Sequence, residues 1–449
     1  MSDGTGSLPP GSLGFPMVGE SLALLRNPFN FLEERQRRHG NVFKSRVLGR
    51  RVAFLAGVEG AEAFYDEDNV SRADAHLPPH IQLFGGINME MYDGPKHRAL
   101  KKITLGAFDH AAIEGYLPEM QELIEDRLSE CARETEFSAT AALRGLAIDA
   151  ICLNIMGLAP GPRTDAIRRD YETLIKGFVS IPLTLPVTPY GRAIRARDRL
   201  LSTIAEVVAE RRKHPAMDGL SAILAAQSPD GVTFTDPEAV LEVHHMLAAG
   251  FIVYFLIAEA MRQLKADPRL AARCAAEINQ HAPSGPLSLA SLLRLETCTR
   301  VVLETKRHAL IVPLAYGCAK RDFNCAGVRI PQGWAVYLAL SRCNRDPESF
   351  RDPERFDPDR FGPERGEQDK NPFAFIPQGA APWTGHQCLG LEYSTILVLS
   401  VLTLLIRGYE WDFPPQDLSY RWDSVPPEPR DGLRTRVRAL EIAESGSGV

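Results

Sequence analysis

The chain lacks a pair of cysteines at the spacing used by zinc ribbons and redox sites. Its eight cysteines are scattered without a Cys-x-x-Cys pair, so neither a zinc ribbon nor a dense disulfide framework is indicated. Seven of them have the context of small buried hydrophobic residues. The eighth, Cys388, has a different setting that is described below.

An excess of positive charge is also missing. Fifty-one Lys and Arg residues against 57 Asp and Glu residues leave a formal net charge of -6, whereas nucleic-acid binding needs a concentrated basic surface. No run of 18 or more apolar residues occurs, and the start at Met1–Gly4 has neither region of a signal peptide. We therefore expect a cytoplasmic protein that binds neither nucleic acid nor membrane.

The composition is that of a folded globular protein. Hydrophobic residues make up 45% and charged residues 24% of the 449 positions, which are ordinary values. No internal Pro/Gly/Ser-rich stretch marks a linker. The sequence therefore predicts one domain over residues 1–449.

Hydrophobic periodicity separates strand-forming from helix-forming regions. Val42–Val47 and Arg51–Leu55 flank a short turn and predict an antiparallel hairpin. Helical periodicity then runs from about residue 95 to 310, and a second strand-rich region follows at about 313–339, with a turn at Pro331–Gly333 between strands 328–330 and 334–339. This order predicts an α+β fold that is mostly α-helical.

One predicted helix is unusually long. Asp236 is a candidate N-cap with Pro237 at the first helical position, and the apolar pattern continues to about Leu264. Its middle, Met246–Ile257, is apolar on all faces and is therefore expected to be buried.

Cys388 ends a loop rich in Gly, Pro and Ala, within residues 373–394, and an apolar helix at about 391–407 follows. A cysteine at a helix N-terminus has a lowered pKa and accepts hydrogen bonds from backbone N–H groups, as a thiolate metal ligand requires. Gly390 would let the backbone approach a flat cofactor, and His386 could pair with a carboxylate on it. A structural cysteine beside a helix cap is the alternative.

Two further motifs precede this loop. Glu304 and Arg307 form a Glu-x-x-Arg pair on one helix face, although such a pair is common on protein surfaces. Phe356–Phe361 then places Arg360 between two aromatic residues.

The order of these motifs resembles the cytochrome P450 family over nearly the whole chain. The proline-rich segment Leu8–Pro16 is similar to the family's start, and Tyr92–Arg98 is similar to the beginning of its C-helix. The resemblance implies a large helical body with a long central helix over haem b, and a smaller β-rich part. It implies these site residues: Cys388 as iron ligand, Glu304, Arg307 and Arg360 as a buried network that holds the cysteine loop, and His97, Lys101 and His386 at the haem propionates.

The predicted distal helix departs from the family pattern. Oxygen-activating members carry an acid and an alcohol there, but the matching run Ala249–Val253 has Ile252 and Val253 at those places. Neither side chain donates a proton, and both, with Gly250, are expected to face the haem. A different acid used with peroxide, proton supply by water or substrate, and a haem reaction without dioxygen activation all remain open.

Part of the chain is similar to the bacterial fatty-acid peroxygenase branch of the family. The similar segments are Phe375–Gly379, Arg46–Arg51, Ala63–Asp66 and Leu83–Asn88. That branch carries an Arg-Pro pair on the long helix, which this chain lacks at Met246–Gly250. A buried fatty carboxylate without a partner would cost several kcal/mol, so a neutral hydrophobic substrate is expected.

These features predict a haem-dependent oxidoreductase, a monooxygenase or peroxygenase, that acts on a hydrophobic small molecule. His244 and His245 on the same helix offer an alternative proton route. Hydrogen peroxide, or a separate ferredoxin and reductase, is the expected oxidant or electron source, because no GxGxxG fingerprint follows a strand. A haem lyase or isomerase and a haem-binding protein without catalysis are the alternatives.

Overall fold

The computed structural model describes residues 6–16, 18–309, 311–380 and 385–440. The start at Met1–Gly4 and residues 381–384 of the cysteine loop lie outside these ranges. The helices are α1 Ser21–Arg26, α2 Pro28–His39, α3 Gly57–Tyr65, α4 Pro78–Phe84, α5 Gly94–Leu105, α6 His110–Arg133, α7 Ala139–Met156, α8 Pro162–Phe178, α9 Pro189–Lys213, α10 Gly219–Ala225, α11 Asp236–Phe251, α12 Tyr254–Ala266, α13 Pro268–His281, α14 Leu289–Leu292, α15 Glu296–His308, α16 Leu340–Cys343 and α17 Leu391–Gly408. Short 3₁₀ helices cover Met89–Met91, Pro358–Phe361 and Glu367–Asp369.

The strands are short and lie toward the two ends of the chain. They are β1 Val42–Val47, β2 Arg50–Leu55, β3 Val70–Ser71, β4 Phe137–Ser138, β5 Leu314–Ala319, β6 Phe323–Cys325, β7 Val328–Ile330, β8 Ala335–Ala339, β9 Tyr409–Asp412, β10 Tyr420–Arg421, β11 Glu428–Pro429 and β12 Arg434–Ala439. Many helices with small sheets confirm the predicted α+β, mostly α fold.

The largest sheet has five strands in the order β1-β2-β8-β5-β3. Its β1–β2 hairpin confirms the prediction, with Val42 opposite Leu55 and Val47 opposite Arg50. The sequence suggested that the turn at 331–333 joins β7 and β8 in a hairpin, but these two strands do not pair with each other. Instead β7 pairs with β6, while β8 pairs with β2 and β5, because the fully buried β8 needs neighbours on both edges.

The long distal helix differs from the prediction at its start and in its middle. Thr235, not Asp236, is the N-cap, since its hydroxyl accepts from the N–H of Glu238 in a capping box. The helix is also interrupted between α11 and α12. At this break Val253 N–H donates to the carbonyl of Gly250, and Phe255 N–H to that of Ile252, which are i to i−3 bonds.

The local sequence explains this break. Gly250 has low helix propensity, and Ile252 and Val253 are adjacent β-branched residues that crowd the preceding turn. The break lies at the predicted site residues Ile252 and Val253, and both line the cavity described below.

Among the described residues, three helical stretches are long and apolar enough to cross a membrane, by length and composition alone. They are Ala139–Met156, Asp236–Ala266 and Leu391–Gly408, and most of each apolar segment is buried inside the protein. Their apolar residues form the main core together with α6 and α9. The sequence has no uninterrupted run of 18 apolar residues because polar residues interrupt each of these helices.

Candidate active site

The cysteine loop folds back on itself and presents its sulfur at the surface of a cavity. Cys388 N–H donates to the carbonyl of Gln378 over 2.9 Å, and the Gln378 amide Nε2 lies 3.6 Å from Cys388 Sγ as a donor. Cys388 is exposed, whereas six of the other seven cysteines are buried. The loop then enters α17, with Gly390 as N-cap, so the predicted placement of Cys388 just before a helix is confirmed.

The structure brings Glu304, Arg307 and Arg360 together, as the sequence predicted. Arg307 donates from Nε and Nη2 to both Glu304 oxygens over 2.7 and 2.8 Å, and Arg360 Nε donates to Glu304 over 3.1 Å. All three side chains are fully buried. Glu367 is a fourth member that sequence reasoning missed, because Arg360 Nη1 reaches it over 2.6 Å.

One residue connects this network to the cysteine loop. Arg307 Nη1 donates to the carbonyl of Asn344 over 2.9 Å. The Asn344 side chain in turn accepts from the N–H of Ile376 over 2.8 Å, at the start of the loop. The buried charges therefore fix the loop through two successive hydrogen bonds.

The residues predicted at the haem propionates also converge. The rings of His97 and His386 stack with centroids 4.0 Å apart, and His386 Nε2 lies 3.7 Å from Asp93 Oδ1. Burial, and then the charges of His386 and Lys101, lowers the pKa of His97 to about 3, so its imidazole is neutral in the protein alone. Lys101 Nζ donates to the carbonyls of Gly385 and Gln387, so it holds the cysteine loop, and its role at a propionate stays a prediction.

Arg72 is a further cation beside this cluster that no sequence signal revealed. Its Nη1 donates to the carbonyl of Tyr316 over 2.9 Å, and its guanidinium lies 3.8 Å above the ring of Phe64. Its backbone N–H donates to Asp93. These contacts come from β5, α3 and the turn before α5, which only the folded chain brings together.

A cavity of about 330 Å³ separates Cys388 from the break in the distal helix. Ile252, Val253 and Leu256 line its apolar side. Gly250 lines it too, although a Cβ there would lie 2.8 Å from Cγ1 of Ile151 on α7. Close packing of the distal helix against α7 therefore requires a glycine at this position.

The structure separates the two histidines that sequence reasoning treated together. His244 is fully buried and bonds to the hydroxyl of Tyr171 and the carbonyl of Leu83, and burial lowers its pKa to about 4. It is a neutral core residue. His245 instead lines the cavity, where it meets Glu90 and Glu242.

The cavity fits a flat, dianionic, apolar cofactor with a metal at its centre. Cys388 is exposed on one side, and a Cβ added at Gly390 would meet only its sulfur, at 3.9 Å. Arg72, Lys101 and the stacked imidazoles of His97 and His386 line the cavity together with apolar side chains of the distal helix. One exposed cysteine sulfur, in a cavity lined by cations, imidazoles and apolar side chains, defines the haem-thiolate class of oxidoreductase.

Comparison with known proteins identifies the family. The model described as Cytochrome P450 matches residues 9–425. The cytochrome P450 120 of Synechocystis sp. is 29% identical over 441 residues, covering 96% of this chain and 97% of the relative. Abscisic acid 8'-hydroxylase 4 of Arabidopsis thaliana is 27% identical, covering 96% of this chain and 92% of that protein.

Solved structures agree with this. Retinoic acid-bound cyanobacterial CYP120A1 superposes with a TM-score of 0.89 at 27% identity, covering 97% of this chain and 100% of the other. Two fatty-acid-bound members, one with myristic acid and one with arachidonic acid, are under 25% identical and show the shared fold alone. The chain belongs to the cytochrome P450 family, is a haem-dependent oxidoreductase, and has haem b as its cofactor.

Proposed function

We propose that this protein, as one haem domain in the cytoplasm, oxidises a hydrophobic small molecule by inserting an oxygen atom into a C–H bond. The observation that carries the proposal is the apolar cavity between Cys388 and the interrupted distal helix. Its lining of Ile252, Val253 and Leu256 offers a substrate dispersion contacts but no hydrogen bond. Removal of apolar surface from water therefore drives binding.

The proximal residues hold and tune the iron ligand. Haem, when bound, supplies the iron at which oxygen from dioxygen or peroxide is activated. Cys388 would bind that metal, and the Gln378 amide, 3.6 Å from the sulfur, would withdraw electron density from it. Arg72, His97 and His386 would bind the two propionates, while Lys101 holds the cysteine loop through the carbonyls of Gly385 and Gln387.

The distal residues exclude water and donate no proton from the usual places. Ile252 and Val253 have no acidic hydrogen, so proton supply falls to ordered water, to the substrate or to the group around His245. This makes peroxide, which brings its own protons, one suitable oxidant. The partial resemblance of the cysteine loop to the peroxygenases favours the same alternative.

A lyase or isomerase reaction is the second candidate, because the aliphatic pair at 252 and 253 also suits chemistry without proton-coupled oxygen cleavage. Such an enzyme would rearrange an already oxidised substrate without any reductant. A haem-binding protein without catalysis would use the same proximal residues.

Paired turnover assays test these candidates. The haem-loaded protein is incubated with neutral hydrophobic compounds, once with hydrogen peroxide and once with NADPH plus surrogate ferredoxin and reductase, and products are identified by mass spectrometry. We expect oxygenated product in at least one arm, and none from Cys388→Ser. Product without oxidant or reductant would favour the lyase, whereas no product in any arm would contradict catalysis.

A further inference from the structure

The cavity has one acidic end, which is built around His245. Its Nε2 lies 3.3 Å from Glu90 Oε2, and its Nδ1 lies 3.3 Å from Glu242 Oε1. Burial alone would lower the pKa of His245, but its hydrogen bonds with Glu242 and Glu90 raise that pKa well above the ordinary value. One imidazolium therefore lies between two carboxylates, and the three side chains carry a net charge of about −1.

Glu242 and Glu90 differ in how exposed their side chains are and in how many hydrogen-bond partners they have. Glu242 is 1% exposed, and its Oε2 also accepts from the backbone N–H of Met89 over 3.1 Å. The Glu90 side chain keeps 47% of its surface exposed and lines the cavity. Among the described residues, His245 is the one side chain that pairs with the Glu90 carboxylate. Glu90 is therefore able to accept a hydrogen bond from a bound molecule.

The basic residues along the same cavity are already engaged. Lys306 donates to Leu391 O, Ser394 Oγ and Thr395 Oγ1 at the start of α17. Lys101 donates to the carbonyls of Gly385 and Gln387, and Arg72 to that of Tyr316. The two haem propionates would further occupy Arg72 and the imidazoles beside it. Along the described lining, no basic side chain is left for a third carboxylate.

We propose that Glu90 is a substrate-binding residue that selects an apolar compound carrying a hydroxyl or cationic group over one carrying a carboxylate. The inference deepens the proposed function and rests on it for the nature of the bound molecule. A hydroxyl would donate to Glu90, and a cation would compensate its charge. A carboxylate would place like charges together where little water screens them. The chain would thus differ from the relative whose structure holds retinoic acid.

Equilibrium dialysis of the haem-loaded protein tests this without turnover. The probes share a ten-carbon chain: decan-1-ol, decyltrimethylammonium, decanoate and methyl decanoate. The trimethylammonium group has no lone pair with which to bind iron. We expect the alcohol and the cation to bind at least roughly tenfold more tightly than decanoate. Glu90→Gln should reduce this preference about tenfold and leave methyl decanoate little changed.

Two variants make the test specific. Glu62→Gln removes the same charge from an exposed site on α3 and should leave all ratios unchanged. His245→Gln removes the imidazolium, leaves both carboxylates, and should increase the preference for the cation. Dialysis of the native protein alone is decisive if a variant misfolds.

The inference is overturned if decanoate binds the native protein as tightly as decan-1-ol. It is also overturned if Glu90→Gln weakens all four probes equally, since that would indicate a structural role for Glu90. An active enzyme that prefers decanoate would refute this inference alone. A protein that turns over no compound but still binds decanoate more weakly than decan-1-ol would refute the proposed function alone.

Discussion

Arg360 provides the sharpest test of how the cysteine loop is held. Its guanidinium is fully buried and donates to Glu304 over 3.1 Å and to Glu367 over 2.6 Å. It also donates to the carbonyls of Arg351 and Arg355 over 2.9 and 3.0 Å. Arg360→Met keeps the bulk and removes every one of these hydrogen bonds.

The expected cost follows from what the substitution leaves behind. Glu304 keeps Arg307, and Glu367 keeps Arg365, so each carboxylate loses one of two cations. Removing one partner from a buried ion pair costs about 3–5 kcal/mol. We expect Arg360→Met to lose about that much stability. We also expect it to lose haem, because Glu304, which positions Arg307 and through it Asn344 and the loop, keeps only one of its two cations.

Arg273 supplies a matched control, because its partner Asp359 directly precedes Arg360 in the sequence. It pairs with Asp359 over 2.6 Å, but both side chains are nearly half exposed, at 46% and 49%. Exposed pairs contribute at most about 1 kcal/mol, so Arg273→Met should change little. Urea unfolding followed by circular dichroism, with haem content measured on the same samples, compares the two variants. Equal losses would refute the argument that burial makes this network important.

Three further predictions concern single residues. Burial lowers the pKa of His244 to about 4, below the unfolded value of about 6.5, so the folded state loses stability as pH falls from about 6.5 toward 4. At pH 5 the loss is about 2 kcal/mol, and urea unfolding of His244→Gln at pH 5 and pH 7 should show a smaller difference than that of the native protein. Gln378→Leu removes the N–H donor at the Cys388 sulfur and should lower the haem reduction potential, which spectroelectrochemical titration measures. Gly250→Ala forces a Cβ against Ile151 and should cost about 1–3 kcal/mol in urea unfolding, and an unchanged midpoint would contradict the packing argument.

The proximal half of the site was predictable because its chemistry depends on short sequence patterns. A thiolate at a helix start fixes Cys388 and Gly390 within three residues of α17, and a helical i, i+3 pair fixes Glu304 and Arg307. The β1–β2 hairpin was predictable for the same reason, since its turn and strands are adjacent in sequence.

The remaining features depend on contacts between distant segments. Arg72 and Glu90 precede the distal helix by well over a hundred residues, and nothing in their neighbouring sequence marks them as cavity residues. The break after Phe251 was missed because the apolar pattern continues through it, while the hydrogen-bond register changes. The family resemblance places Lys101 at a haem propionate, and the structure shows its ammonium on the carbonyls of the cysteine loop.

The acidic end of the cavity changes where the missing proton donor should be sought. The positions 252 and 253 hold aliphatic side chains, yet Glu90 and His245 meet in the same cavity on different elements, the turn Met89–Met91 and α11. A charged imidazole between two carboxylates has a proton to share, and Glu242 ties it to the backbone of that turn. The ionisable side chains at the distal helix therefore line this cavity at the N-terminal half of the helix and not at its break, and it is there that we propose a substrate's polar group binds.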